Sequence, residues 1–213
     1  MIAGLDVSHW QGVIDWPAVA GSGVRFAIVK ATEGEAHVDK RFAANWRGAG
    51  DSGLVRGAYH YYRPERDPVK QARHFAATVG PLGPLDLPLV LDVEERGPAG
   101  VRLADRISRL RACIGEVRAR SGRDPIIYTG PAFWRSEYGN ADEFAGLPLW
   151  IAHYTRDPAP ATPPGWAWTF WQWTNAGRVP GLRGDCDLNW YRDDDLNALF
   201  RLAGVDIAKG AVT

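Results

Sequence analysis

Four carboxylates in this chain of 213 residues stand where they could do chemistry. In Leu89-Val90-Leu91-Asp92-Val93-Glu94-Glu95 an apolar run, typical of a strand buried on both faces, ends abruptly in acids. Side chains two apart on a strand point the same way and start roughly 6 to 7 Å apart, so Asp92 and Glu94 are expected to share a face while Val93 packs opposite. Asp6, in Gly4-Leu5-Asp6-Val7-Ser8, and Asp187, in Asp185-Cys186-Asp187-Leu188-Asn189, fall at comparable strand ends. Crowded like charges raise the pKa of at least one member, which is how a carboxylic acid stays protonated near neutrality and serves as a general acid. A lone acid at a strand end is ordinarily a solvated terminus or a cap for the next helix. Four at matching places point to a site, although glycoside hydrolysis, metal binding and proton transfer all use such groups.

The elements that must position these acids are legible as short β-branched and aromatic runs: Ile2 to Val7, Phe26 to Ala31, Val55 to Tyr62, Leu87 to Glu94, Pro125 to Thr129, Leu149 to Tyr154, Thr169 to Trp173 and Asp185 to Asn189. Segments with helical spacing separate the first five: Trp16 to Ala20, Lys40 to Gly50, Pro68 to Val79 and Arg102 to Arg120. This alternation predicts a parallel sheet. After a short helix near Ala132 to Tyr138 the pattern changes, because Asp157 to Gly165 is rich in proline and Arg178 to Gly184 has no helical period. The expected fold is therefore an α/β, irregular TIM-like barrel of about eight strands, with incomplete helices in its C-terminal part and a terminal helix over Asp193 to Ala203. Residues 1–204 are expected to form the barrel and 205–213 a tail. If the barrel closes, its last strand lies beside its first, and Asp187 and Asp6 meet at the rim that holds Asp92 and Glu94.

Composition narrows the partners. Lys plus Arg and Asp plus Glu both total 25, so nothing suggests capture of nucleic acid or an anionic membrane by charge. The 10 Trp suit the apolar faces of sugar rings as well as they suit a core. Cys113 and Cys186 have neither zinc-site spacing nor the density of a disulfide-built domain. No run approaches a membrane span, and no charged-then-apolar signal segment precedes the first strand.

The residues also form an ordered set: Gly4-Leu5-Asp6-Val7-Ser8-His9-Trp10-Gln11-Gly12, Lys30-Ala31-Thr32-Glu33-Gly34, Gly57-Ala58-Tyr59-His60-Tyr61, Leu91-Asp92-Val93-Glu94, Ile127-Tyr128-Thr129, Leu149-Trp150-Ile151-Ala152-His153-Tyr154, Trp171-Gln172-Trp173 and Asp187-Leu188-Asn189. In this order and spacing it resembles family 25 of the glycoside hydrolases, the Chalaropsis-type lysozymes. The resemblance implies hydrolysis, with retention, of the β-1,4 bond between N-acetylmuramic acid and N-acetylglucosamine, at the bacterial cell wall and without a cofactor or metal. It implies that Glu94 is general acid and base. It places Asp92 either as a nucleophile, which needs carboxyl groups about 5 to 5.5 Å apart, or as the group that orients the substrate's own acetamide. The 2-acetamido group of the sugar to be cleaved favours the second role. Asp6 and Asp187 then hold hydrogen-bonding partners and tune Glu94, while Tyr61, Tyr128, Trp150, Tyr154 and Gln172 line the sugar cleft. Peptidoglycan glycan strands are the partner expected, and the enzyme is expected to be a monomer.

Two other signals compete. Gly48-Ala49-Gly50-Asp51-Ser52-Gly53 fits a dinucleotide-binding glycine pattern, yet it ends a helix and precedes a strand, the reverse of the context a pyrophosphate needs. None of the five histidines forms a pair at zinc-helix spacing, which disfavours a metal-dependent deacetylase. The rival from another class is an inactive sugar-binding barrel, whose usual mark would be a missing acid.

Overall fold

A computed structural model describes residues 1–206; of the expected tail, 207–213 lie outside the described residues. Nine strands are present among the described residues: β1 (Ile2–Val7), β2 (Phe26–Glu33), β3 (His37–Val38), β4 (Val55–Tyr61), β5 (Val90–Asp92), β6 (Ile126–Thr129), β7 (Leu149–Ala152), β8 (Trp168–Gly177) and β9 (Cys186–Tyr191). Six α-helices accompany them among the described residues: α1 (Trp16–Gly21), α2 (Phe42–Asp51), α3 (Pro68–Val79), α4 (Leu103–Ser121), α5 (Pro131–Tyr138) and α6 (Leu196–Leu202). Eight strands close a barrel in the order β1-β9-β8-β7-β6-β5-β4-β2, with β1 and β2 completing the ring and β3 an appendage on β2. Within the barrel, neighbours pair in parallel except β9, which runs antiparallel to both β8 and β1, and β3 pairs antiparallel with β2 outside the ring. The expected barrel is thus observed, and the connections into β8 and β9 lack crossover helices as the proline-rich and aperiodic segments predict.

Local chemistry sets the element ends. Asp15, Asp67 and Asp195 cap α1, α3 and α6 by accepting from backbone N–H groups, and Pro17 and Pro68 occupy first-turn positions where no donor is missed. The cap at Asp195 starts the last helix at Leu196, so the expected start at Asp193 is corrected: Asp193 accepts from the N–H of Asp195 in the preceding turn. Gly122 ends α4 in the left-handed conformation. The glycine-rich stretch after Ala44 is the end of α2 and its turn. Gly48 is required there because a Cβ would fall 2.2 Å from the Trp16 ring.

Alternation along the strands sorts the core into two layers. One lies between barrel and helices and holds Leu5, Val7, Val29, Leu91, Val93, Ile127, Ile151 and the helix residues Phe75, Leu110 and Val117. The other fills the barrel interior with Phe26, Ile28, Val90, Ile126, Trp150, Phe170 and Tyr191, and Leu199 from α6 and Ala203 just after it join it. Interior aromatics pack edge to face, with the Phe26 and Phe170 centroids 5.1 Å apart. Gly4 is the concession this packing needs, since a Cβ there would lie 2.3 Å from the Phe26 ring. This apolar plug fills one end and leaves the interior positions at the other end, Asp6, Asp92, Tyr128 and Gln172, to be polar. Cys113 and Cys186 are both buried and free. No described helix is long and apolar enough to cross a membrane.

Candidate active site

The four acids meet at the end of the barrel where the parallel strands finish. Asp6 lies opposite Asp187 in the β1–β9 register. Asp187 is near the start of β9 rather than its end. It reaches the same rim because β9 runs antiparallel, a correction to the idea of four matching strand ends. Across the ring, Asp92 is the last residue of β5, in register with Tyr61 and Tyr128 on either side. Val93 packs outward and is 1% exposed, as the two-residue spacing predicts. The sheet stops at Asp92, so Glu94 rises beyond it to an exposed position while Asp92 stays 5% exposed. The chain between them is fixed by the Val93 carbonyl, which accepts from Thr129 Oγ1 at 2.9 Å.

Polar partners hold the buried members. Asp6 Oδ2 accepts from Asn189 Nδ2 at 2.7 Å and Gln172 Nε2 at 2.9 Å. Gln172 Oε1 in turn accepts from the hydroxyls of Tyr128 and Tyr154, each at 2.9 Å, and Asn189 Oδ1 accepts from Trp150 Nε1 at 2.7 Å. Every side-chain amide in this network is therefore oriented by a neighbour. Asp92 differs, because its Oδ1 is buried with no hydrogen-bond partner in the protein. A bare acceptor of this kind in a reaction cleft is an open position for a donor on the substrate.

Electrostatics follow from this crowding. Burial first, then Asp187, raises Asp6 from 3.8 to about 8, against the hydrogen bonds from Asn189 and Gln172. Asp92 is raised well above its ordinary value by burial and then by Glu94, with Lys30 opposing. Glu94, though open to solvent on one side, is raised by partial desolvation and then by Asp187 and Glu95, again with Lys30 opposing. Burial also raises Asp187, while a hydrogen bond with Asp6 lowers it. Crowding and burial thus favour the protonated form of each of these carboxyls over that of a free acid.

A charged rim that the sequence reading does not identify flanks Glu94. Lys30 Nζ lies 2.8 Å from Glu33 Oε2, Arg63 Nε donates to Glu33 Oε1 at 3.0 Å, and Arg63 Nη1 lies 3.2 Å from Glu95 Oε1. The Tyr61 hydroxyl donates to Glu95 Oε2 at 2.7 Å, and both cations stand 4.9 Å from the Tyr61 ring centre. Of the five residues expected to line the cleft, Tyr128, Trp150 and Gln172 are buried in its floor, Tyr61 is half-buried at the rim and Tyr154 is exposed. No group of three or more His, Cys, Asp or Glu among the described residues is arranged to hold a metal ion.

With this geometry in hand, comparison with known proteins is decisive. Residues 5–182 match glycosyl hydrolases family 25. The chain belongs to that family. It is a glycoside hydrolase on a TIM-like barrel. Lysozyme M1 of Streptomyces globisporus is 39% identical over 197 residues, covering 88% of this chain and 67% of its own. The N,O-diacetylmuramidase of Chalaropsis sp is 32% identical over 187 residues, covering 82% of this chain and 89% of its own. The bacterial lysozyme from Streptomyces coelicolor superposes with a TM-score of 0.90 at 38% identity, covering 95% of this chain and 96% of that one. Family 25 membership and the barrel agree with the resemblance read from the motifs.

Proposed function

We propose that this family 25 hydrolase cleaves the β-1,4 bond between N-acetylmuramic acid and N-acetylglucosamine in peptidoglycan, and that it does so at the cell wall. The names of its relatives, a lysozyme and an N,O-diacetylmuramidase, support the substrate. The observation that supports the division of labour is the contrast between the two acids of β5: Glu94 is exposed at the mouth, and Asp92 is buried beneath it with a bare Oδ1. Glu94, raised and accessible, protonates the leaving oxygen and later draws the proton from water. Asp92 accepts the N–H of the substrate's acetamido group and turns its carbonyl oxygen towards the anomeric carbon. Asp187 keeps negative charge close to Glu94, while Asp6, fixed by Gln172 and Asn189, hydrogen-bonds to Asp187. Tyr61 and Tyr154 contact sugar at the rim, over the floor formed by Tyr128 and Trp150.

The test is digestion of purified peptidoglycan by wild type and by Glu94→Gln, with new reducing ends converted by borohydride and identified by mass spectrometry. Muramitol ends from wild type alone are the expected result. Glucosaminitol ends would make the enzyme a glucosaminidase, and wild-type activity in the variant would remove Glu94 from its role. A sugar found covalently attached to Asp92 in a trapped intermediate would replace the acetamide mechanism with direct attack.

A further inference from the structure

Trp10 is 82% exposed, the most of any large apolar side chain among the described residues, yet it is held rather than loose. It lies in the one-turn 3-10 helix His9–Gln11, where its N–H donates to Ser8 Oγ and the N–H of Ser8 donates to Gln11 Oε1. Its ring is 4.5 Å from that of His9, whose Nδ1 lies 2.7 Å from the buried carboxylate of Asp39. The loop after β1 is tied to the β8–β9 connection by the N–H of Asp15, which donates to the Gly181 carbonyl at 2.9 Å. Gly181 has a φ of 95°, and a Cβ there would meet the Asp15 carbonyl oxygen at 2.3 Å, so the two segments can approach only with glycine at this position.

Between these segments runs an open groove of about 820 Å³, whose lining includes Trp10, Gln11, Val13, Asp15, Leu182 and Arg183. Both walls are close to the acids along the chain. Trp10 follows Asp6 by four residues and Arg183 precedes Asp187 by four, so each Cα lies within about 14 Å of the acid on its own wall even if the chain is extended. A fixed, exposed indole beside amide and guanidinium donors matches the surface of a sugar, which is apolar on its ring face and polar at its edge.

We propose that this groove is a remote glycan subsite: Trp10 stacks on an N-acetylhexosamine ring of the strand being cleaved, and Gln11 Nε2 and Arg183 donate to its oxygens. The proposal rests on the peptidoglycan reading above and adds a contact that only a long strand reaches. Shorter substrates end before the groove and gain nothing from it.

The experiment compares wild type, Trp10→Ala and Trp10→Phe on long glycan strands from purified sacculi and on a soluble tetrasaccharide of alternating N-acetylglucosamine and N-acetylmuramic acid. Trp10→Ala is expected to lower kcat/KM on long strands roughly tenfold through KM, the scale of one lost aromatic contact, with Tm and tetrasaccharide turnover unchanged. Trp10→Phe should retain most of the long-strand rate. Cosedimentation of Glu94→Gln with sacculi should weaken by a similar factor when Trp10→Ala is added. Equal losses on both substrate lengths, or no loss on either, would overturn the subsite. Absence of new reducing ends from wild type would instead sink the peptidoglycan reading, and cosedimentation would still report on the groove.

Discussion

Asp6→Asn should make the protein more stable and less active, with a gain that depends on pH. Asp6 is 5% exposed, and burial followed by Asp187 raises its carboxyl from 3.8 to about 8. The folded protein therefore holds this proton more tightly than the unfolded chain does from about pH 4 to about pH 8. Across that window stability falls as pH rises, because the unfolded carboxylate ionises freely and the folded one does not. At about 1.4 kcal/mol per pH unit, the cost attached to this site is about 4 kcal/mol at pH 7. Asp187 shares the proton and part of that cost, so replacing Asp6 alone recovers about 2 to 4 kcal/mol. Asparagine keeps an oxygen for the amides of Asn189 and Gln172 and presents an amide to Asp187 without charge. For a chain of this size the gain corresponds to a rise in Tm of roughly 5 to 10 °C. Urea or thermal unfolding at pH 4, 6 and 8 measures it: the variant and wild type should be alike at pH 4 and diverge as pH rises. A variant less stable than wild type at pH 8, or a gain of equal size at pH 4 and pH 8, would refute the reasoning.

Lys30→Met removes the cation that opposes the raised values of both Asp92 and Glu94, and leaves the Glu33 charge less balanced. Both limbs of the pH–rate profile should move upward by about half a unit to one unit, and an alkaline limb that moves down would contradict this. Gly4→Ala drives a Cβ into the Phe26 ring, so it should cost about 1 to 3 kcal/mol in denaturant unfolding. Unchanged stability would mean the interior plug is looser than its packing indicates. Saturating EDTA should leave hydrolysis unaffected, and loss of activity restored by a divalent cation would reopen metal-assisted hydrolysis.

The acids are visible in the sequence because strand periodicity reports which side chains share a face, and a strand that served packing alone would not set Asp92 and Glu94 at the end of an apolar run. Their difference in exposure is not visible there. It depends on the sheet ending at Asp92, which is set by pairing with Tyr61 and Tyr128 on neighbouring strands. The same limit hides β3, two exposed residues that form a strand only through their register with Thr32 and Glu33. It hides the rim of Lys30, Glu33, Arg63 and Glu95 as well, since only Lys30 and Glu33 share a segment and Arg63 and Glu95 join them from beyond the ends of β4 and β5. The expected cleft residues Tyr61, Tyr128, Trp150, Tyr154 and Gln172 look equivalent by type and position along the chain. Only the barrel's closure separates a floor from a rim.

Closure also explains why the site needs so many uncharged amides and hydroxyls. Filling one end of the barrel with Phe26, Phe170 and Tyr191 leaves Asp6 and Asp92 buried beneath the more open Asp187 and Glu94, where each added negative charge raises the next. Gln172 and Asn189 offset part of that cost at Asp6 without supplying a countercharge. An arginine in either place would lack the oxygen that accepts from Tyr128 and Tyr154 or from Trp150, and its positive charge would lower the neighbouring acids together. Neutral donors steady the acids and leave their mutual repulsion available for catalysis. Gln172→Arg should accordingly lower Tm and draw the alkaline limb of activity downward, and an unmoved alkaline limb would refute this.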